Sequence, residues 1–130
     1  MSQALCSEVA SMPLTRAAGR KEMDTAARFC AAAADAAAGA FGVSVKELRM
    51  ARRGSASVAF ARQAAMYLGH TAFGLSFTAV GHAFRRDRTT AAHACRLVED
   101  RREDPGIDAI IGRLETWCGR ASGADRSVQS

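Results

Sequence analysis

The stretch FTAVGHAFRRDRTTAAHACRLVEDR, residues 77–101, decides the fold of this chain. Apolar residues at spacings of three and four predict a short helix in its first part. Arg85 and Arg86 follow as a tight turn. Asp87 is a residue type that caps helices, and the helix after it is expected to run to about Arg102. Two helices joined by so short a turn are typical of a helix-turn-helix.

The second predicted helix has two contrasting faces when its residues are projected at 100° per residue. One face holds Ala91, Ala94, Cys95 and Val98, and the other holds Thr89, His93, Arg96 and Asp100. In a helix-turn-helix the N-terminal residues of the second helix contact base edges in the major groove. Arginine can bridge guanine, a carboxylate can accept from cytosine, and threonine can contact a thymine methyl group. Asp87, Arg88 and Thr89 therefore indicate DNA binding. The alternative is a solvated face on which Asp87 is only a helix cap.

The rest of the chain also has helical periodicity, and no long stretch alternates as a half-buried strand would. Further helices are expected at residues 24–40 with Asp24 as cap, after the Ser44–Glu47 capping box, at 57–70, and from Pro105 to an end at Gly119. The predicted fold class is all-α, a compact helical domain of about six helices that contains the helix-turn-helix. Residues 1–22 are expected to be a flexible tail, 23–120 the DNA-binding domain, and 121–130 a disordered tail.

Chain length and net charge exclude some classes of function and favour others. A chain of 130 residues corresponds to one domain. No continuous run of apolar residues reaches the roughly 20 residues that a membrane span needs, so no membrane partner is expected. The formal net charge is +5 and the pI about 9.6, and nearly all of the positive charge is arginine. A basic small domain is typical of nucleic-acid binding.

The sequence gives little support to metal or catalytic chemistry. Its cysteines, Cys6, Cys30, Cys95 and Cys118, have no C-x-x-C spacing and no nearby histidine partners, which predicts buried free thiols rather than a zinc site. No catalytic set of residues is visible, so we expect no enzyme, no metal and no cofactor. The first residues lack the pattern of a secretory signal, which favours the cytoplasm and, for a DNA-binding protein, the nucleoid.

Two motifs resemble the C-terminal DNA-binding domain of the bacterial replication initiator DnaA. They are RQAAMYL at residues 62–68 and RDRTTAAHACRLVE at 86–99, and the resemblance covers roughly residues 26–104. It implies a TrpR-like, helix-turn-helix fold of the DnaA C-terminal type. The initiator also has an ATPase domain. No G-x-x-x-x-G-K-[ST] loop is present here, so ATP hydrolysis is not expected.

The resemblance implies a role for individual residues. Base contacts are expected from Arg53 in the minor groove and from Asp87, Arg88 and Thr89 in the major groove. Phosphate contacts are expected from Arg52, Arg62, Gln63, His70, Arg86, Thr90 and His93. Arg88 stands where the family has histidine, which predicts an altered sequence preference. His70 stands where the family has a lysine, which predicts weaker binding.

The expected partner is double-stranded DNA, bound by a monomer at an asymmetric site. The predicted role is regulation of transcription or of replication initiation at DnaA-box-like sites, with possible contacts to that machinery. The alternative is a protein-interaction module that modulates the initiator without reading DNA. The apolar stripe Ile107–Trp117 could serve such a module as a groove for a partner helix, although stripes of this kind more often close a core.

Overall fold

The structure is a computed structural model that describes residues 12–50 and 55–129, and the side chains of residues 23–50 and 55–121. The described residues form six α-helices, which confirms the all-α prediction. The helices are α1 (Met12–Phe41), α2 (Val45–Arg49), α3 (Ala56–Thr71), α4 (Phe77–Ala83), α5 (Arg88–Arg101) and α6 (Pro105–Gln129).

Polar side chains fix the starts of the helices after α1. The oxygen of each capping residue accepts a hydrogen bond from the backbone N–H three residues later, and the caps are Ser44, Ser55, Ser76 and Asp87. Asp104 precedes α6, and its Oδ1 accepts from the backbone N–H of Gly106 at 2.8 Å. These caps confirm the helix starts that the sequence predicts for α2, α4, α5 and α6. They place the start of α3 one residue earlier than predicted.

Helix α3 lies at the centre of the fold, and most of its side chains are buried. Alanines on α1 and α3 let the two helices pack closely. Gly69 marks the tightest approach. A Cβ there would lie 3.3 Å from Cys30 Sγ on α1 and 3.3 Å from Val80 Cγ2 on α4. Helices α1 and α4 therefore meet at a point of α3 that has no side chain, and this places the helix-turn-helix against the core.

Helix α6 packs on α1 and α3. Hydrogen bonds from Arg102 also connect it to the helix-turn-helix. Arg102, the C-cap of α5, donates to Asp108 Oδ1 at 2.6 Å and to Glu115 Oε1 at 3.0 Å. It also donates to the hydroxyl of Tyr67 on α3 at 3.0 Å. Burial raises the pKa of that tyrosine above its ordinary value. Arg102 therefore joins three helices by its side chain alone.

The cysteines are placed as the sequence predicts. Cys30, Cys95 and Cys118 are free and buried. Burial raises the pKa of each thiol to about 11, so these residues carry little thiolate at neutral pH. Cys6 lies outside the described residues.

Two helix boundaries differ from the prediction by about ten residues. Helix α1 begins at Met12, so Asp24 lies inside the helix and does not cap it. Residues 12–23 are mostly good helix formers, and they continue α1 towards the N-terminus. Helix α6 runs through Gly119 to Gln129, because one glycine inside a helix costs only about 1 kcal/mol. The assignment of residues 1–22 and 121–130 as tails outside the domain stays a prediction.

Candidate nucleic-acid interface

The turn between α4 and α5 is folded tightly against α4. The backbone N–H of Arg86 donates to the carbonyl of Gly81 at 2.8 Å, and that of Phe84 donates to the carbonyl of Val80 at 3.1 Å. A Cβ on Gly81 would lie 2.7 Å from the Arg86 carbonyl oxygen and 2.9 Å from that of Asp87. Only glycine fits this position. The missing side chain lets the chain reverse within four residues and sets the angle between the two helices.

Helix α5 presents the polar face that the sequence predicts. Its inward residues Ala91, Ala94, Cys95 and Val98 are buried, and its outward residues Arg88, Thr89, Thr90, His93 and Arg96 are exposed. Because the inward residues are small, α5 lies close to α3 and α4. The first turn of α5 stays at the surface with its polar side chains accessible. This arrangement suits a helix that enters a DNA groove by its N-terminal end.

Asp87 caps α5 at the start of this face. Its Oδ1 accepts from the backbone N–H of Thr90 at 2.8 Å. Hydrogen bonds from the backbone and side chain of Thr90, and from the backbone of Thr89, hold the pKa of Asp87 below its ordinary value. The residue itself is exposed. A carboxylate has about four acceptor positions and these hydrogen bonds occupy at most three, so capping and a contact to a base are compatible.

The lowered pKa predicts a pH dependence that an asparagine removes. A carboxyl group whose pKa is lower in the folded state stabilises the fold above its unfolded pKa, near pH 4. That stabilisation is lost as the pH falls through the folded pKa. Asparagine also caps helices but does not titrate. We expect the melting temperature of the native chain to fall more steeply than that of Asp87→Asn between pH 5 and pH 2. Parallel melting curves across this range would contradict the assignment.

Two arginines lie beside the turn. Arg62 on α3 is buried, and its Nε donates to the carbonyl of Leu48 at 2.8 Å. Arg86 is half-buried, and its Nη2 donates to the carbonyl of Met50 at 3.2 Å. Burial and then the positive charge of Arg86 lower the pKa of Arg62. Both guanidinium groups bind carbonyls at the end of α2, two residues apart, so the structure brings these two predicted phosphate contacts near each other.

The sequence also predicts a basic loop after the short second helix, with Arg49, Arg52, Arg53 and Gly54, and the loop begins at this same place. Arg52 and Arg53 lie outside the described residues, so their predicted contacts are not placed. The flanking residues are described. Met50 is bound by Arg86, and Ser55 caps α3. Met50 and Ser55, the described residues on either side of 51–54, therefore lie beside Arg86 and at the start of α3.

The remaining two predicted phosphate contacts lie further along α3. Gln63 is half-buried, next to Arg62. His70 is eight residues from Arg62, about 12 Å along the helix. Its ring stacks on Phe77 with centroids 4.1 Å apart, and its Nδ1 lies 2.8 Å from the Leu75 carbonyl oxygen. A carbonyl can only accept, so Nδ1 carries the proton and donates. His70 is thus not brought into the cluster around the turn, and it lies instead at the start of α4.

The sequence places Arg49 in the basic loop but gives it no contact, whereas the structure places it in α2 as part of this surface. Arg49, at the end of α2, donates from Nη2 to the carbonyl of Ala83 at 3.1 Å. Its guanidinium carbon lies 5.1 Å from the centroid of the Phe84 ring. The residue stands at the edge of the basic loop, but nothing local in the sequence pairs it with a turn 34 residues later. Arg49 adds a third positive charge beside Arg86 and the turn.

The surface between α6 and α1 is mainly apolar, unlike the basic surface beside the turn. In the predicted apolar stripe Ile111 is buried in the core, as is Cys118 just after it, whereas Trp117 is 49% exposed. Trp117 and Leu114 line an apolar groove between α6 and α1. The stripe therefore closes the core only in part.

The described part of the chain contains neither a membrane-spanning helix nor a cluster of metal-binding side chains. None of its helices is both long and apolar enough to cross a lipid bilayer. None of its histidine, cysteine, aspartate and glutamate side chains form a cluster that could hold a metal ion.

Comparison with known proteins finds similarity over the helices that form this interface. A family model described as "Bacterial dnaA protein helix-turn-helix" matches residues 32–98, which include α2, α3, α4 and most of α5. The chain is also similar to a crystal structure of a DNA replication initiation factor, with a TM-score of 0.65 and 27% sequence identity. That similarity covers 82% of this chain and 32% of the other, so the chain spans about a third of that structure.

Proposed function

The chain belongs to the family of bacterial DnaA helix-turn-helix domains, and on this premise we propose that it binds double-stranded DNA in a sequence-specific manner. The observation that carries the proposal is the exposed first turn of α5, which stands beside the arginines of the turn. Its polar side chains would enter the major groove while positive charge next to them meets the phosphates. The role we propose is regulation of transcription, or of replication initiation at DnaA-box-like sites.

Phosphate contacts supply most of the affinity in this proposal. Around the turn they come from Arg62, Arg86, Thr90 and His93, with Gln63 beside Arg62. Arg52 belongs to the same group through the loop. His70 would contribute a contact at the start of α4 only with a proton on Nε2 as well, because its Nδ1–H is donated to the Leu75 carbonyl. Since each neutralised phosphate releases counterions, log K should fall steeply and linearly with log salt concentration. These contacts orient the protein and carry no sequence information themselves.

Specificity comes from the first turn of α5 and from the loop. Arg88 can donate two hydrogen bonds to guanine O6 and N7, and Thr89 can contact a thymine methyl group. The exposed carboxylate of Asp87 can accept from a cytosine amino group. Arg53 would reach into the adjacent minor groove. Because Arg88 prefers guanine, the preferred site should differ from that of a family member with histidine at this position.

Selection of bound sites from random duplex DNA tests the proposal. We expect the native chain to enrich one defined motif at near-physiological salt. Arg88→His should change the preferred base at one position. Thr89→Ala should weaken binding to the selected site about tenfold, the effect of one good base contact. Arg120→Gln is the matched control, because it removes an exposed positive charge from α6 and leaves the proposed interface intact.

Two outcomes would contradict this assignment. Enrichment of the same motif by the native chain and by both α5 variants would show that specificity lies elsewhere. Weak, salt-sensitive binding without any enriched motif would favour the second candidate, a protein-interaction module. The half-exposed Trp117 and its apolar groove favour that second candidate. We further propose that the chain acts at the nucleoid, binds as a monomer to an asymmetric site and has no catalytic activity.

A further inference from the structure

Arg85 has an unusual backbone for an arginine. Its φ is 60°, and among the described residues no other non-glycine has a positive φ. This left-handed conformation costs an L-residue free energy that glycine avoids. The backbone N–H of Arg85 donates to the His82 carbonyl at 3.1 Å, a bond that any residue with an N–H would make. The fold therefore gives no reason for an arginine at this position, whereas strain at an exposed position points to function.

The side chain of Arg85 lies at a small concavity beside the turn. The concavity has a volume of about 280 Å³ and is lined by Arg49, Ala83, Phe84 and Arg85. None of these four residues is acidic. Arg49 is held in place by its bond to the Ala83 carbonyl and by its position over the Phe84 ring. That bond uses one of five guanidinium N–H groups, and the described residues engage no other.

Several arginine side chains place positive charge around this concavity. Arg86 follows directly, and its Nη2 is bound to the Met50 carbonyl. Arg49 satisfies the carbonyl of Ala83, the last residue of α4, where the partial negative charge of the helix end would otherwise repel an anion. Two guanidinium groups at one concavity suit a phosphate, which accepts several hydrogen bonds from such planar donors.

We infer that this concavity binds one backbone phosphate of the DNA, held by Arg85 and Arg49. The inference rests on the proposed function, because it assumes that α5 enters a groove. In that pose the turn before α5 would lie at the groove edge, where the phosphates are. The contact is additional to those of Arg62 and Arg86. It explains why an arginine occupies a position that its backbone disfavours.

Replacement of Arg85 by asparagine tests the inference, because asparagine tolerates the left-handed conformation and has no charge. The measurement is the dissociation constant for the selected duplex at 50 to 200 mM salt. We expect Arg85→Asn to melt no lower than the native chain but to bind more weakly. The slope of log K against log salt should be about 0.9 shallower, one phosphate contact fewer. The affinity ratio of native to variant should then shrink about threefold across this salt range.

Further variants and outcomes complete the test. Arg85→Lys should recover most of the slope, whereas Arg120→Gln should leave it unchanged. The preferred motif should stay the same in all of them, because a phosphate contact carries no sequence information. A native chain that binds the duplex while Arg85→Asn keeps the native affinity and slope would overturn this inference alone. A native chain that binds no duplex would overturn it together with the proposed function.

Discussion

Replacement of Gly81 by alanine is expected to destabilise the fold by about 3 kcal/mol, because the added methyl group has no space. Its Cβ would lie 2.7 Å and 2.9 Å from the carbonyl oxygens of Arg86 and Asp87. Both are backbone atoms, so no side-chain rotation relieves the overlap. The turn must open, and with it the bond from the Arg86 N–H to the Gly81 carbonyl. Since α5 would then sit at a different angle, sequence-specific DNA binding should be lost as well.

Urea unfolding of two glycine variants measures this effect. Gly119→Ala is the matched control, since it makes the same substitution on α6 at a point where a Cβ meets nothing within 4 Å. A glycine inside a helix is less favourable than alanine, so this control should gain about 0.8 kcal/mol. Equal stability of Gly81→Ala and the native chain would show that the turn is not constrained as described.

Replacement of Arg102 by methionine is expected to cost about 2 kcal/mol. Each of its ion pairs is partly exposed and would contribute little alone, with side-chain exposures of 23% for Arg102, 52% for Asp108 and 30% for Glu115. The three bonds act together, however, and the loss also leaves the Tyr67 hydroxyl without this donor. Methionine keeps much of the apolar length of the side chain. The cost should therefore come from the lost bonds between α5, α3 and α6.

Arg101→Met is the matched control for this prediction. Arg101 is the preceding residue, is exposed, and stacks over the Phe60 ring at 4.7 Å. An exposed stacking contact contributes about 0.5 to 1 kcal/mol, so the control should lose less than half as much stability. Thermal unfolding of the two variants at low and high salt measures the difference. Equal losses in Arg101→Met and Arg102→Met would contradict the assigned role of Arg102.

The helix-turn-helix was readable from the sequence because its signals are local. Ser76 and Asp87 each cap a helix within three residues, and the inward and outward faces of α5 follow from helical spacing alone. The resemblance added the roles of individual side chains. The caps and the two faces depend on neighbours a few residues apart, and the structure places them as the sequence predicts. The roles of the individual side chains stay predictions.

Other features depend on contacts between distant residues and could not be read from the sequence. Arg62 reads as a surface arginine, yet it is buried because its Nε reaches a carbonyl 14 residues away. Arg49 pairs with the end of α4, and Arg102 joins three helices. The left-handed backbone of Arg85 results from the close approach of the turn to Gly81. The start of α1 and the end of α6 were also misplaced, because the helices continue through Asp24 and Gly119, which the sequence predicts as a cap and a stop.

The central claim is sequence-specific binding of duplex DNA, and one measurement tests it most directly. Fluorescence anisotropy at 150 mM salt compares the native chain on its selected duplex with the same chain on a scrambled duplex of equal length and composition. The account predicts that the selected duplex is bound at least about a thousandfold more tightly, the lower end for specific DNA-binding proteins. Equal affinity for the two duplexes would contradict it.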